Sequence, residues 1–142
     1  MLRHIAIPIL MSCSLLAACG KGADQDAAAG NPENASEIVI KIGASAPLTG
    51  PQAHIGKDNE NGTRMAIDDA NAAGIVIGGK KARLVLLSED DQTDPKTATI
   101  VAQKLVDSKV NGVIGHLNSG TTIPASRIYN DNGIPQISPS AT

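Results

Sequence analysis

At 142 residues, with 42% hydrophobic and 18% charged side chains, the chain has the size of one folded domain and too much apolar content for intrinsic disorder. With no Trp, no Phe and a single Tyr, its core must be built from Ile, Val, Leu and Ala, and an aromatic stacking platform for single-stranded nucleic acid is excluded. Twelve basic residues against fourteen acidic ones, scattered along the chain, give a net charge of −2 and speak against a nucleic acid partner.

The amino terminus reads as an export signal. Arg3 and His4 precede an apolar stretch from Ile5 to Ala18, interrupted by Pro8 and by Ser12, Cys13 and Ser14. The stretch is shorter than the roughly 20 apolar residues that cross a bilayer, so residues 1–18 fit a secretory signal better than a membrane span. A buried N-terminal helix is the alternative, but nothing caps its end and a long polar tract follows. Leu16-Ala17-Ala18-Cys19-Gly20 resembles the bacterial lipobox, in which the cysteine becomes the acylated N-terminus; that resemblance implies lipidation at Cys19 and attachment to a membrane. Cleavage elsewhere, for instance after Ala27-Ala28-Ala29, is the competing reading. Cys13 and Cys19 are the only cysteines. The chain beyond Gly20 therefore has no disulfide, thiol nucleophile or Cys-ligated zinc. Residues 19–37, rich in Ala, Gly, Asn and Asp without apolar period, form a flexible tether.

From Ile38 onward the pattern alternates strand and helix. Ile38 to Ala44 is a β-branched strand, broken by Pro47, Gly50 and Pro51. From Ile55 to Ala73 helical spacing places Ile55, Gly62, Met65, Ala66, Ala70 and Ala73 on an inward face opposite Lys57, Asn61 and Asp68. Gly74 stops this helix, Gly78-Gly79 turns the chain, and Ala82 to Leu87 is the second strand. Asp94-Pro95 starts a helix running to about Ser108, with Ala98, Val101, Ala102, Leu105 and Val106 inward. Val110 to Gly115, nearly all apolar, is predicted as the third strand and a central one. Ser119 opens a third helix that carries Ile123, Ala125, Ser126, Ile128 and Tyr129 inward and ends at Gly133; Pro135 to Ser138 is a fourth strand.

The resulting βαβαβαβ order implies an α/β fold with a parallel sheet, right-handed crossovers and helices on both faces. Ligand chemistry then belongs at the carboxyl ends of the strands: Ser45 to Gly50, Glu89 to Asp94, His116 to Thr122 and Pro139 to Thr142. The last loop lacks a closing helix, which is the pattern of a fragment of a longer protein. In His116-Leu117-Asn118-Ser119-Gly120-Thr121-Thr122, hydroxyls and free amides meet at a helix start, a setting for an anion such as a carboxylate. The competing reading is that Ser119 merely caps its own helix. Glu89-Asp90-Asp91 with Asp94 reads as a solvated loop and helix cap rather than a metal or acid/base cluster, with His116 too isolated to complete a metal site. Ser119 and His116 lack the orienting group and the G-x-S-x-G elbow of a hydrolase, and no G-x-G-x-x-G or phosphate-loop Lys is present.

Several separated motifs together resemble the leucine/isoleucine/valine-binding proteins, the substrate-binding components of branched-chain amino acid ABC importers. They are Ile42-Gly43-Ala44 through Pro47-Leu48-Thr49-Gly50, Asp91-Gln92-Thr93-Asp94-Pro95, Val113 through Ser119, and Pro124-Ala125-Ser126 through Ile137-Ser138-Pro139-Ser140-Ala141-Thr142. The resemblance, from Ile38 to Thr142, implies the first, truncated lobe of a two-lobed periplasmic-binding-protein fold. It further implies a zwitterionic amino-acid ligand, permease subunits as partners, and neither cofactor nor catalysis. On that basis Ser119 and Thr142 would hold the ligand carboxylate, the Ser140 carbonyl would take the ammonium, and Ile55 would stand where some members place an aromatic against the ligand side chain. Some members also pair cysteines at the positions of Thr93 and Asn118, and here both are absent. A sensory ligand-binding domain of the same fold and a small hydrolase are the rival functions.

Overall fold

The computed structural model describes residues 37–142; the expected signal, Cys19 and the tether up to Ser36 lie outside the described residues. The alternation is present as β1 (Ile38–Ala46), α1 (Ala53–Ala73), β2 (Val76–Ile77), β3 (Lys80–Asp90), α2 (Pro95–Asp107), β4 (Gly112–Gly115), α3 (Ser119–Asp131) and β5 (Gln136–Ile137). The sheet order is β2-β3-β1-β4-β5. All pairings are parallel except the short β2 against β3. β1 is the middle strand, and β4 beside it is paired on both sides, an interior place that agrees with its apolar run. Parallel register sets Ser45 opposite both Glu89 and Gly115, so the carboxyl ends of three strands finish at one level.

Connectivity explains where the helices lie. From β1 the chain steps one way to β3, then returns past β1 to β4 and on to β5. With right-handed crossovers that reversal sends α1 to one face and α2 and α3 to the other. The main core lies on the α2/α3 face, where Val101, Ala102, Leu105, Val110, Val113, Ala125 and Tyr129 pack together. α2 matches its predicted inward face, and its start is as expected: Pro95 occupies the first turn and the Asp94 carboxylate accepts the Thr97 amide at 2.7 Å.

Three expectations about the elements change. The buried stripe of α1 is Gly56, Thr63 and Ile67, while Met65 is 67% exposed. Small and polar side chains let α1 approach the sheet closely, and a reading based on apolar spacing cannot detect such a face. On α3 the buried residues are Thr121, Ala125 and Tyr129, with Ile123 turned to solvent. The Gly78-Gly79 turn proves to be a two-residue hairpin pairing Val76–Ile77 antiparallel to Lys80–Lys81, both glycines having positive φ as such turns require. β2 is solvent-exposed and only two residues long, too short to show an alternating pattern.

Gly56 shows how tightly α1 is seated. A Cβ at this position would fall 1.9 Å from the Pro47 carbonyl oxygen, so the first turn of α1 lies directly on the loop leaving β1. An exposed helical glycine normally gains stability when replaced by alanine. Gly56→Ala should instead lose about 1 to 3 kcal/mol, the range for overpacking a close contact, as measured by denaturant unfolding.

Candidate functional site

In an open parallel sheet ligands collect beyond the strand ends at the point where connections leave in opposite directions. That point here lies between β1 and β4, and it is built on a buried polar knot. Ser45, Asp91, His116 and Tyr129 are each at most 1% exposed. The His116 Nδ1 lies 2.8 Å from Asp91 Oδ2 and 3.0 Å from Ser45 Oγ, and its Nε2 lies 3.2 Å from the Tyr129 hydroxyl. Burial, followed by the negative charge of Asp91, pushes the Tyr129 phenol well above its usual range, so it keeps its proton and can donate. A neutral imidazole then satisfies the group: Tyr129 donates to Nε2, and Nδ1–H donates to Asp91. Asp91 Oδ1 accepts the Thr93 amide at 3.0 Å, so one carboxylate serves both the ring and the turn after β3.

This corrects two expectations from sequence. Asp91 is not part of a solvated loop, and His116 is not isolated. Acid and imidazole meet inside the protein from positions 25 residues apart. The pair does not form a hydrolase with Ser119, because both ring nitrogens are engaged below the surface. Among the described residues no cluster of three or more His, Cys, Asp or Glu side chains is placed to hold a metal ion.

Above the knot, the loop after β4 is laced to the segment after β5. The His116 carbonyl accepts from the hydroxyls of Thr122 at 2.9 Å and Ser138 at 2.7 Å. Ser140 Oγ donates to the Leu117 carbonyl at 2.6 Å, and the Thr142 amide donates to Ser119 Oγ at 3.2 Å. Ser119, Ser140 and Thr142 are thus brought to one place from loops more than twenty residues apart. Ile55, 46% exposed on the first turn of α1, belongs to the neighbouring rim and makes no hydrogen-bonded link with them.

Ser119 does not cap α3. It is the first helical residue, Asn118 occupies the cap position, and no side chain closes the helix start. The amides of Thr121 and Thr122 return to the Asn118 carbonyl at 3.1 and 2.9 Å. Those of Ser119 and Gly120, by helix geometry, have no partner within the helix and point toward the loop. Two free amides, one hydroxyl and the positive end of a helix favour an anion.

Asp90 was also expected in a solvated loop. β3 in fact continues through it, and its carboxylate accepts the amides of Leu48 at 2.8 Å and Gln92 at 2.9 Å together with the Thr49 hydroxyl. Partial burial alone would raise its pKa. Hydrogen bonds from the Thr49 side chain and from the Gln92, Leu48 and Thr49 amides outweigh that effect and hold it below the usual carboxylate value. Asp90 therefore fastens the loop after β1 to the end of β3. Neither this fastening nor the Asn118 contact with Gln52 at 2.8 Å was evident in the sequence, since each joins residues more than forty positions apart. An almost wholly apolar cleft of about 300 Å³ lies elsewhere, on the sheet face beside α1 among Ile42, Ile67, Ile114 and Ile137. It offers nothing to grip a charged ligand.

The fold is that of an α/β protein with an open, mostly parallel sheet whose polar loops gather beyond the strand ends. Residues 39–142 match the family model described as periplasmic binding protein, and the chain belongs to that family. It is 48% identical over 103 residues to the leucine-specific-binding protein of Salmonella typhimurium, an alignment covering 72% of this chain and 27% of that protein. Among solved structures it is similar to the branched-chain amino acid transporter substrate-binding protein LivJ of Streptococcus pneumoniae in complex with isoleucine. There the identity is 37% and the TM-score 0.67, over 74% of this chain and 30% of LivJ. A solute-binding protein of an ABC transporter from Rhodopseudomonas palustris, in complex with 3,4-dihydroxybenzoic acid, matches at 30% identity and TM-score 0.60, over 72% of this chain and 27% of that one. The chain thus spans little more than a quarter of the length of the curated relatives it matches.

The depressed pKa of Asp90 sets the direction of a pH effect. A carboxylate more acidic in the folded state than its ordinary value of 3.8 stabilises the fold above that pH and ceases to do so as pH falls through its lower folded value. Asp90→Asn should lower stability at neutral pH and flatten the loss of stability below about pH 4, read by unfolding at a series of pH values. An unchanged acid limb in the variant would show that Asp90 does not hold the loop.

Proposed function

We propose that the chain forms the first lobe of an extracytoplasmic solute-binding protein that captures a branched-chain amino acid for an ABC importer, without cofactor or catalysis. The observation that carries this reading is the convergence of Ser119, Ser140 and Thr142 at the uncapped start of α3, at the reversal point of the sheet. In this reading the free amides, the Ser119 hydroxyl and Thr142 hold the ligand carboxylate. The Ser140 carbonyl receives the ammonium, and Ile55 borders the side chain. Kinship with a leucine-specific-binding protein and with an isoleucine-bound LivJ supports an aliphatic amino acid over the aromatic acid seen in the Rhodopseudomonas palustris relative. Ile55, aliphatic and half-exposed at the rim, fits the same preference.

One lobe encloses a ligand on one side only, whereas small-molecule sites bury most of the ligand surface. L-leucine binding to the 142-residue chain should therefore be weak and appear in NMR titration as shifts at the Ser119, Gly120 and Thr142 amides. In a two-lobed polypeptide extended to the length of the relatives, Ser119→Ala should weaken L-leucine binding by about 10- to 150-fold, the equivalent of about 1.5 to 3 kcal/mol for a hydrogen bond to a charged group. Replacing the ligand carboxylate by a carboxamide should cost a similar factor, and the two losses should not add, because both remove the same interaction. Unaltered calorimetric affinity in Ser119→Ala would remove the carboxylate from this site.

The proposal extends to the amino terminus, where Cys19 follows Leu16-Ala17-Ala18. Acylation of Cys19 would hold the exported protein at a membrane in the periplasm, several acyl chains giving stable attachment where a single one is marginal. Cys19→Ser should move the protein from the membrane fraction to the soluble periplasmic fraction. Identical fractionation of variant and wild type would count against the anchor.

A further inference from the structure

Asn118 occupies the cap position of α3 with φ −95° and ψ 144°, the extended backbone from which an asparagine ordinarily turns its side-chain oxygen onto the second or third amide of its own helix. It makes no such bond. Its Nδ2 donates instead to Gln52 Oε1 at 2.8 Å, across 66 residues of sequence. Gln52 is in turn the cap residue of α1, and its side chain leaves its own helix uncapped as well. The two residues that would close the starts of α1 and α3 thus engage each other. A third loop joins them: Thr93 Oγ1 lies 3.5 Å from the same Gln52 oxygen. Thr93 sits in the left-handed region at φ 61°, next to Gln92 at φ 54°, a conformation unfavourable for a β-branched residue and retained only where its surroundings demand it.

We propose that Gln52 is a positioning residue that keeps the first turn of α3 open to the ligand carboxylate by holding the Asn118 carboxamide away from it. The proposal rests on the amino-acid-binding reading of the site. Without Gln52, Asn118 already has the backbone needed to swing its Oδ1 onto the Gly120 or Thr121 amide. Gly120 is exposed and its amide is one of the two left free for an anion. A self-capping Asn118 would occupy the place of the carboxylate, so the ligand would have to displace it. The penalty is the free energy of one helix cap, which converts to roughly five- to tenfold in affinity.

The test uses Gln52→Ala, Asn118→Ala and the double variant in the full 142-residue chain, with two readouts. Amide hydrogen exchange at Gly120 is measured without ligand, and L-leucine binding is measured by NMR titration. Gln52→Ala should protect the Gly120 amide from exchange and weaken L-leucine roughly five- to tenfold. Asn118→Ala should leave both near wild type, and the double variant should return both toward wild type, because the competing side chain is gone. Gln52→Glu, which retains an oxygen to accept from Asn118, should leave Gly120 exchange as in wild type, and it serves if the alanine variant fails to fold. A double variant as weak as Gln52→Ala, or unchanged Gly120 exchange in Gln52→Ala, would overturn the proposal. Protection of Gly120 in Gln52→Ala alongside a two-lobed polypeptide, extended to the length of the relatives and otherwise wild type, that shows no response to L-leucine would support the Gln52 contact and overturn the amino-acid reading instead.

Discussion

The hydrogen bond between Asp91 and His116 is the interaction on which the candidate site depends. It joins the end of β3 to the residue immediately after β4, with Ser45 of β1 beside both, so three neighbouring strands are tied at their carboxyl ends by one buried contact. Burying such polar groups is unfavourable unless each finds a partner, and among the described residues no buried side-chain nitrogen or oxygen is left without one. Tyr129 completes the group from α3, which links the orientation of that helix to the imidazole beneath its start. A knot satisfied on every side resists rearrangement, because moving one member would strand the others.

Rigidity below permits an open arrangement above. The loop after β4 exposes amides that a helix start would normally close, and the segment from Ser138 to Thr142 is laid against it by hydroxyl-to-carbonyl bonds from Ser138 and Ser140 and by the Thr142 amide donating to the Ser119 hydroxyl. Asp90 and Gln52 supply the remaining connections, the first to the loop after β1 and the second between the starts of α1 and α3. The main core is apolar and sits on the α2/α3 side of the sheet, whereas the polar loops sit beyond the carboxyl ends of the strands. The core supplies stability, and the rim presents the uncommitted amides of Ser119 and Gly120. The loops that carry Thr93 and Asn118 both reach one Gln52 oxygen.

The order of elements, the parallel sheet, the inward face of α2 and the cap at Asp94-Pro95 were all legible because each depends on residues within a few positions of one another. So was the concentration of hydroxyls from Ser119 to Thr122 at the start of a helix, since that is a local pattern. The inward face of α1 was not legible. Gly56 is buried because its smallness admits a close neighbour, and that neighbour, the Pro47 carbonyl, comes from another element; Thr63, polar, is buried on the same helix. Exposed Met65 and Ile123 mislead for the converse reason: apolar spacing marks a face without stating whether anything lies against it.

By itself the sequence determined the order of elements and the fold class, because secondary-structure period and turn chemistry are written along the chain, and its separated motifs carried the resemblance to the family. Only the tertiary structure decided that Asp91 is buried against His116, that Asp90 anchors a loop, and that the Asn118 side chain turns to Gln52 and leaves α3 uncapped. The physical reason is distance along the chain. Each of these contacts joins side chains from different strand-end loops, and which loops become neighbours is set by the strand order β2-β3-β1-β4-β5, a property of the assembled sheet that no local run of residues encodes.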